Sequence, residues 1–160
     1  MDVEIIDGNL LDFPNDIDAI AHSCNTHNVM GAGIAHQIKY RYPNAYSADC
    51  YAMMNNDNQL GWYSFSVTDA TQNKGIYNMY TQDKIGSKRA VNYEAFYVAL
   101  NKVADHMEWR SKHEDEEKTL GLPYGISCGL AGGNWGIIKA MIEDIFLDSR
   151  IKCYIVKYHE

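Results

Sequence analysis

Positive charge is scarce in this chain of 160 residues, because 14 Lys and Arg stand against 21 Asp and Glu, for a net charge of −7. Generic binding to nucleic acid or to an anionic membrane needs clusters of basic side chains, so both classes of partner are disfavoured. We therefore expect a small-molecule ligand, no generic nucleic-acid binding and no membrane partner. A negatively charged ligand would have to be held by backbone dipoles.

Long apolar runs are missing as well. The apolar stretches are broken by polar residues and stay far below the roughly 18 residues that cross a bilayer. The N-terminus, MDVEIIDGNL, lacks a basic segment followed by an apolar stretch and so does not resemble a secretory signal. We expect a cytoplasmic protein.

The few cysteines form no CxxC pair, which favours reduced thiols over a disulfide framework. The run His22-x-Cys24-x-x-His27 is similar to half of a zinc site, but no second ligand pair follows it at a suitable spacing. We expect neither a metal nor a cofactor.

Proline is rare, and no repeat, low-complexity segment or linker divides the chain, so we interpret residues 1–160 as a single domain and expect a monomer. Hydrophobic periodicity predicts strands that alternate with helices, which favours the α/β class with a mostly parallel sheet flanked by helices. Pro43 is expected to close the first helix. The predicted strands are residues 3–6, 17–23, 62–68, 75–80, 119–127 and 151–158, and the predicted helices are 33–42, 90–110 and 135–147.

Two glycine-rich loops, residues 25–34 and 127–135, each open a predicted helix. Glycine lets backbone N–H groups approach a ligand, and a helix N-terminus adds partial positive charge, so each loop is a candidate anion cradle. Two cradles suggest a diphosphate, although tight turns use glycine for steric reasons at least as often. Neither GxxxxGK[ST] nor a GxGxxG after the first strand is present, which disfavours a triphosphatase or a Rossmann dehydrogenase.

Four segments together resemble a macro domain, the ADP-ribose-binding module with a three-layer α/β/α fold. They are IIDGNL at residues 5–10, DAIAHSCN at 18–25, VMGAGIA at 29–35 and GLAGGNW at 129–135. Within that family, the second and third segments with the following RYP are most similar to the yeast-type ADP-ribose 1''-phosphate phosphatases and their small microbial and viral relatives. The resemblance covers nearly the whole chain.

The resemblance also implies binding residues. It places Asn9 and Leu10 at the adenine, although most relatives have Asp where Asn9 stands, and it places Asn25 at the distal ribose. An Asx turn or a helix cap is an equally ordinary role for such an Asn. The remaining implied contacts are Met30, Gly31, Ala32, Gly33, Ile34, Ser127, Cys128, Gly129, Leu130, Ala131, Gly132, Asn134 (Asp in many relatives) and Tyr158.

For catalysis, the resemblance implies His22 as a proton donor to the leaving oxygen of a phosphate monoester, with Asp83 as a supporting carboxylate. A neutral imidazole suits that role, and His27 and Cys24 are rivals. Gln82 stands where glycohydrolase relatives carry a catalytic Lys, and an amide cannot act as that nucleophile. We therefore expect a phosphatase acting on ADP-ribose 1''-phosphate, a by-product of tRNA splicing, with a non-catalytic ADP-ribose reader or a glycohydrolase as alternatives.

Overall fold

A central sheet organises the protein, whose computed structural model describes residues 3–84, 90–129 and 131–159. Within these residues, six strands lie in the order β1-β6-β5-β2-β4-β3. All neighbouring strands are parallel except β3, which runs antiparallel to β4. The strands are β1 (Val3–Asp7), β2 (Ala19–Asn25), β3 (Tyr63–Val67), β4 (Gly75–Gln82), β5 (Thr119–Pro123) and β6 (Lys152–Lys157).

Helices cover both faces of this sheet. They are α1 (Gly33–Arg41), α2 (Pro43–Met54), α3 (Tyr93–Glu114) and α4 (Trp135–Phe146). Alternate residues of β2 face opposite layers, since Ala19 and Ala21 pack in the core beneath α3 and α4, whereas Ile20 packs with residues of α1 and α2. The predicted α/β/α architecture with a mostly parallel sheet is thus confirmed. Among the described residues, no helix has both the length and the apolar character that a membrane crossing requires.

Pro43 begins a helix, α2, that the hydrophobic pattern does not predict. Helix α1 does end before it, at Arg41, but α2 starts at Pro43 itself. Proline suits the first helical position because the N–H that it lacks would have no partner there. The buried residues of α2 are Ala45, Asp49 and Ala52, so this helix presents no stripe of large apolar side chains. The hydrophobic periodicity of residues 43–54 is therefore too weak to predict a helix.

The strand boundaries differ from the prediction by one to four residues, and two of these differences matter for the site. Strand β5 ends at Pro123, so residues 124–127 belong to the following loop. Strand β2 runs from Ala19 to Asn25 and so places His22 in its middle, whereas the predicted strand, residues 17–23, placed His22 next to its carboxyl end.

Candidate functional site

A cleft of about 520 Å³ lies at the carboxyl ends of β2, β4 and β5, within the size range of small-molecule sites. Both predicted glycine-rich loops line it. Its described lining consists of Ser23, Cys24, Asn25, Val29, Gly31, Ala32, Gly33, Ile34, Ala35, Gln82, Pro123, Tyr124, Gly125, Ile126, Ser127, Gly129 and Ala131.

The first glycine-rich loop, residues 25–34, leads into α1, whose N-terminus lies at the cleft. Ala32, the N-cap residue, has extended backbone and offers no side-chain cap. Gly33 has a φ of +60°, which favours glycine, and an added Cβ there would meet nothing within 4 Å. No described carbonyl accepts a hydrogen bond from the N–H groups of Ile34 or Ala35. Ile34 and Ala35 line the cleft, so these donors and the positive end of the helix dipole lie together at it.

The second loop is held in a strained shape by its own backbone. Ser127 has a left-handed φ of +64°, uncommon for a residue with a side chain. Its carbonyl accepts a hydrogen bond from the N–H of Gly133 at 2.9 Å, and a Cβ on Gly133 would lie only 2.6 Å from that oxygen. The hydroxyls of Ser127 and Ser23 lie 2.5 Å apart and join the loop to β2. Among the described residues, nothing accepts from the N–H groups of Ser127 or Gly129.

Asn25 shapes the first loop as well as lining the cleft. Its Nδ2 donates to the carbonyl of Val29 at 2.8 Å, and its Oδ1 accepts from the N–H of His27 at 2.9 Å. These bonds are those of the Asx turn that the sequence left open as an alternative to a ligand contact. In this conformation the Asn25 side chain therefore stabilises the loop through hydrogen bonds to its backbone.

The described lining of the cleft contains no Asp, Glu, His, Lys or Arg. Its titratable groups are Cys24 and Tyr124. Burial raises the pKa of the Cys24 thiol well above its usual value, and the nearby Asp49 carboxylate adds to the effect. Cys24 therefore stays a thiol near neutral pH and is a poor nucleophile. The chemistry available in this lining is hydrogen bonding and apolar contact.

His22 lies beneath the cleft wall with no exposed surface. The side chain of Asn78 fixes its tautomer, because Nδ2 of Asn78 donates to the Ala45 carbonyl at 2.9 Å and to Ser64 Oγ at 3.0 Å. The remaining Oδ1 of Asn78 accepts from His22 Nε2 at 2.7 Å. Burial lowers the pKa of His22 to about 4, although the bond to Asn78 opposes this shift. His22 is therefore neutral near pH 7 and does not line the cleft.

Comparisons with known proteins support the fold. No family model matches the chain. An uncharacterized 17.5 kDa protein in the tk-vs intergenic region of Enterobacteria phage T4 is 28% identical over 160 residues, covering 99% of this chain and 97% of that protein. The macrodomain of Thermus aquaticus DarG superposes with a TM-score of 0.74 at 23% identity, covering 99% of this chain and 98% of that one.

Two further solved structures have the same fold. The macrodomain of Mycobacterium tuberculosis DarG has a TM-score of 0.79 at 19% identity, covering 99% and 98% of the two chains. Thermosipho africanus DarTG, in complex with ADP-ribose, has a TM-score of 0.80 at 18% identity, covering 98% of this chain and 41% of that one. This chain has the macrodomain fold.

Several residues predicted for the site of this macrodomain fold do not line the described cleft. Met30 is buried with Cys24, Ala52 and Tyr80, and Leu10 is buried in the core beneath α1 and α2. Both are apolar side chains that pack in the hydrophobic core. Leu130 lies outside the described residues.

The predicted polar residues outside the lining have local structural partners. Asn9 Oδ1 accepts from the N–H of Leu11 at 3.0 Å in a short 3-10 turn. Asn134 is the N-cap of α4, and its Oδ1 accepts from the N–H of Ile137 at 3.3 Å. Asp83 is exposed after β4, and its carbonyl accepts a hydrogen bond from the ring of His27.

Three further predicted residues also lie outside the described lining. The thiol of Cys128 donates to the carbonyl of Ile126 at 3.3 Å, while Gly132 has a φ of +68° and bonds to the Gly129 carbonyl at 3.0 Å. Tyr158 follows β6 and is 65% exposed.

Residues 123–126 line the cleft but were missed, because the predicted strand extended through them to residue 127. Pro123 and Gly125 flank Tyr124. Proline and glycine so close together commonly interrupt a strand, so the sequence did contain a signal that the strand ends at Pro123. The Tyr124 ring packs on Trp135 with 4.8 Å between centroids. The ammonium of Lys157 also lies over this ring, 4.8 Å from its centroid, so Tyr124 is held between neighbours at the edge of the cleft. Ser23, Cys24, Val29, Ala35 and Gln82 complete the lining residues that were not predicted as ligand contacts.

Proposed function

We propose that this cleft binds an ADP-ribose group and holds its diphosphate on backbone N–H groups. The observation that carries the proposal is the meeting of two sets of N–H donors, at the N-terminus of α1 and at Ser127 and Gly129, in one cleft. These donors have no partner among the described residues, and the described lining contains no charged side chain. Oriented N–H groups and a helix N-terminus bind phosphate without a cationic side chain. The ADP-ribose complex of Thermosipho africanus DarTG, which has the same fold, supports the choice of ligand.

The geometry of the cleft favours a protein that binds ADP-ribose without hydrolysing it over the phosphatase that the sequence led us to expect. A general acid must lie within hydrogen-bond reach of the leaving oxygen. His22 is fully buried, its Nε2 is occupied by Asn78, and it is neutral near pH 7. No other general acid with a pKa near 7 lies in the described lining. We therefore propose a reader of ADP-ribose and keep the phosphatase as the hypothesis against which it is tested.

A glycohydrolase is the less favoured alternative. Gln82, which stands where glycohydrolase relatives carry a catalytic Lys, does line the cleft at the end of β4. Its amide can donate and accept hydrogen bonds but cannot serve as a covalent nucleophile. Positioning of a bound sugar is the role that this side chain supports.

The binding test is Gly129→Glu, measured by titration calorimetry with ADP-ribose. An added Cβ at Gly129 meets nothing within 4 Å, so the fold should tolerate the substitution. The carboxylate would enter the cleft and repel the diphosphate, so we expect binding to be lost. Gln72→Glu, at an exposed turn, adds the same charge away from the cleft and should bind normally. Unchanged affinity in Gly129→Glu would remove the pocket assignment.

The turnover test is a set of assays with ADP-ribose 1''-phosphate, ADP-ribosylated protein and ADP-ribosylated DNA. We expect no release of phosphate or ADP-ribose above background, because the described cleft lacks both a general acid and a charged nucleophile. Phosphate release that Gly129→Glu abolishes would instead establish the phosphatase. Efficient release of ADP-ribose would establish the glycohydrolase.

A further inference from the structure

Strands β2 and β5 pair with each other only near their amino-terminal ends. Ala19 pairs with Leu120 and Ile20 with Gly121, and no later pair joins the two strands within the described residues. Beyond this ladder, β2 continues to its carboxyl end, whereas the chain after β5 enters the loop of residues 124–129. The cleft is lined from both of these separated segments, so its shape depends on what holds them together.

One side-chain contact bridges the two segments. The hydroxyl oxygens of Ser23 on β2 and Ser127 on the loop lie 2.5 Å apart, in a hydrogen bond in which either group can donate. In the described part of the chain, no other hydrogen bond joins β2 to residues 124–129. The backbone bonds of these loop residues go instead to β6 or to residues close in the chain. The N–H of Tyr124, for example, donates to the Val156 carbonyl at 3.0 Å.

Ser127 has a backbone conformation that depends on its surroundings. Its φ of +64° is left-handed, which is unfavourable for a residue with a side chain and persists where neighbouring groups hold it. Ser127 is buried, and its carbonyl accepts a hydrogen bond from the N–H of Gly133 at 2.9 Å. The hydroxyl of Ser23 is the second group that holds it. These two bonds set the direction of the Ser127 N–H, which has no acceptor among the described residues.

We propose that Ser23 is a positioning residue for the diphosphate site and acts on the ligand through Ser127. Its hydroxyl holds Ser127 in the left-handed conformation, so that the N–H groups of Ser127 and Gly129 are ordered at the cleft before the ligand arrives. Donors ordered in advance bind more tightly, because binding does not have to order them. This inference rests on the proposed function, since it concerns the same cleft and the same ligand.

The first test is Ser23→Ala, measured by titration calorimetry with ADP-ribose. Loss of the hydroxyl should weaken binding about tenfold, the effect of one lost hydrogen bond. Ser64→Ala is the matched control, because Ser64 is also a half-buried strand serine, whose hydroxyl bonds to Tyr80 at 2.8 Å and to Asn78 at 3.0 Å. None of these three residues lines the described cleft, so Ser64→Ala should bind ADP-ribose like the wild type. Wild-type affinity in Ser23→Ala would overturn the proposal.

A double-mutant cycle with Ser127→Gly separates positioning from direct contact with the ligand. Glycine adopts left-handed angles without strain and has no hydroxyl for Ser23 to bind. In that background, Ser23→Ala should change the ADP-ribose affinity by less than about twofold, because the partner of the hydroxyl is already gone. The same loss of affinity in both backgrounds would show that Ser23 contacts the ligand itself and would reject the positioning role.

Nuclear magnetic resonance of the unliganded protein tests the Ser23–Ser127 bond without ADP-ribose. The three-bond coupling between the amide and α hydrogens of Ser127 reports its φ. This coupling should change in Ser23→Ala, because Ser127 is released from the left-handed conformation, and it should stay the same in Ser64→Ala. A wild type that fails to bind ADP-ribose would refute the proposed function. Normal wild-type binding with an unchanged coupling in Ser23→Ala would refute only the positioning role of Ser23.

Discussion

The protonation state of His22 is determined by its burial. Burial lowers its pKa from 6.5 to about 4 in the folded protein. Between these pH values the unfolded chain binds a proton at His22 more readily than the folded protein does. The stability that depends on neutral His22 is therefore fully present above pH 6.5 and is lost as the pH falls towards 4.

Replacing His22 with Gln should flatten this pH dependence, because the amide does not titrate. The pKa difference corresponds to about 3 kcal/mol of unfolding free energy lost by the wild type across the window. Urea unfolding followed by circular dichroism at a series of pH values measures both profiles. An equally steep acid limb in the variant would contradict the assignment. ADP-ribose affinity near pH 7 should stay within a few-fold, since His22 does not line the cleft.

Of the predicted glycines, Gly31, Gly33 and Gly129 line the described cleft, whereas Gly132 does not. Residue type and order can indicate such positions because close backbone approach depends on a missing side chain that the sequence displays. They could not separate lining residues from core residues. Met30 and Gly31 are neighbours, yet Met30 is buried and Gly31 lines the cleft. That difference depends on which way the loop turns as it leaves β2, a tertiary property.

At the scale of elements, the same local signal can mark either the end or the start of a helix or strand. Pro43 was a correct sign that α1 ends, but proline is also favoured at the start of a helix, and only the structure reveals α2 behind it. The opposite error occurred at β5, where an apolar run concealed the turn at Pro123. Both errors come from signals that have two physical meanings.

Asn134 provides a test at this scale, because its side chain caps α4 and does not line the described cleft. Asn134→Ala should lower the free energy of unfolding by about 1 kcal/mol while ADP-ribose affinity stays unchanged. Asn134→Asp retains the cap and adds favourable charge at the helix N-terminus, so its stability should match or exceed the wild type. Denaturant titration and calorimetry measure the two quantities. A loss of affinity without a loss of stability in Asn134→Ala would return this residue to the binding site.

At the scale of the whole molecule, strand order assembles the site. Ser23 and Ser127 lie 104 positions apart, yet their hydroxyls touch because β5 is placed directly beside β2. The alternation of strands and helices predicted a parallel sheet with loops gathered at one edge. It could not predict that order, nor that β3 would lie at one end of the sheet, because long-range pairing is not encoded in local periodicity.

The charge of the whole molecule gives the last prediction. The protein carries a net charge of −7, and its described cleft lining has no Lys or Arg, so a diphosphate ligand meets long-range repulsion and short-range neutral donors. Salt screens the repulsion but leaves the backbone hydrogen bonds in place. ADP-ribose affinity should therefore stay constant or rise about twofold between about 25 and 300 mM NaCl, measured by calorimetry. Sodium acetate at equal ionic strength controls for chloride that competes for the N–H groups. A fall of about tenfold in both salts would indicate cationic side chains at the phosphates and contradict the backbone cradle.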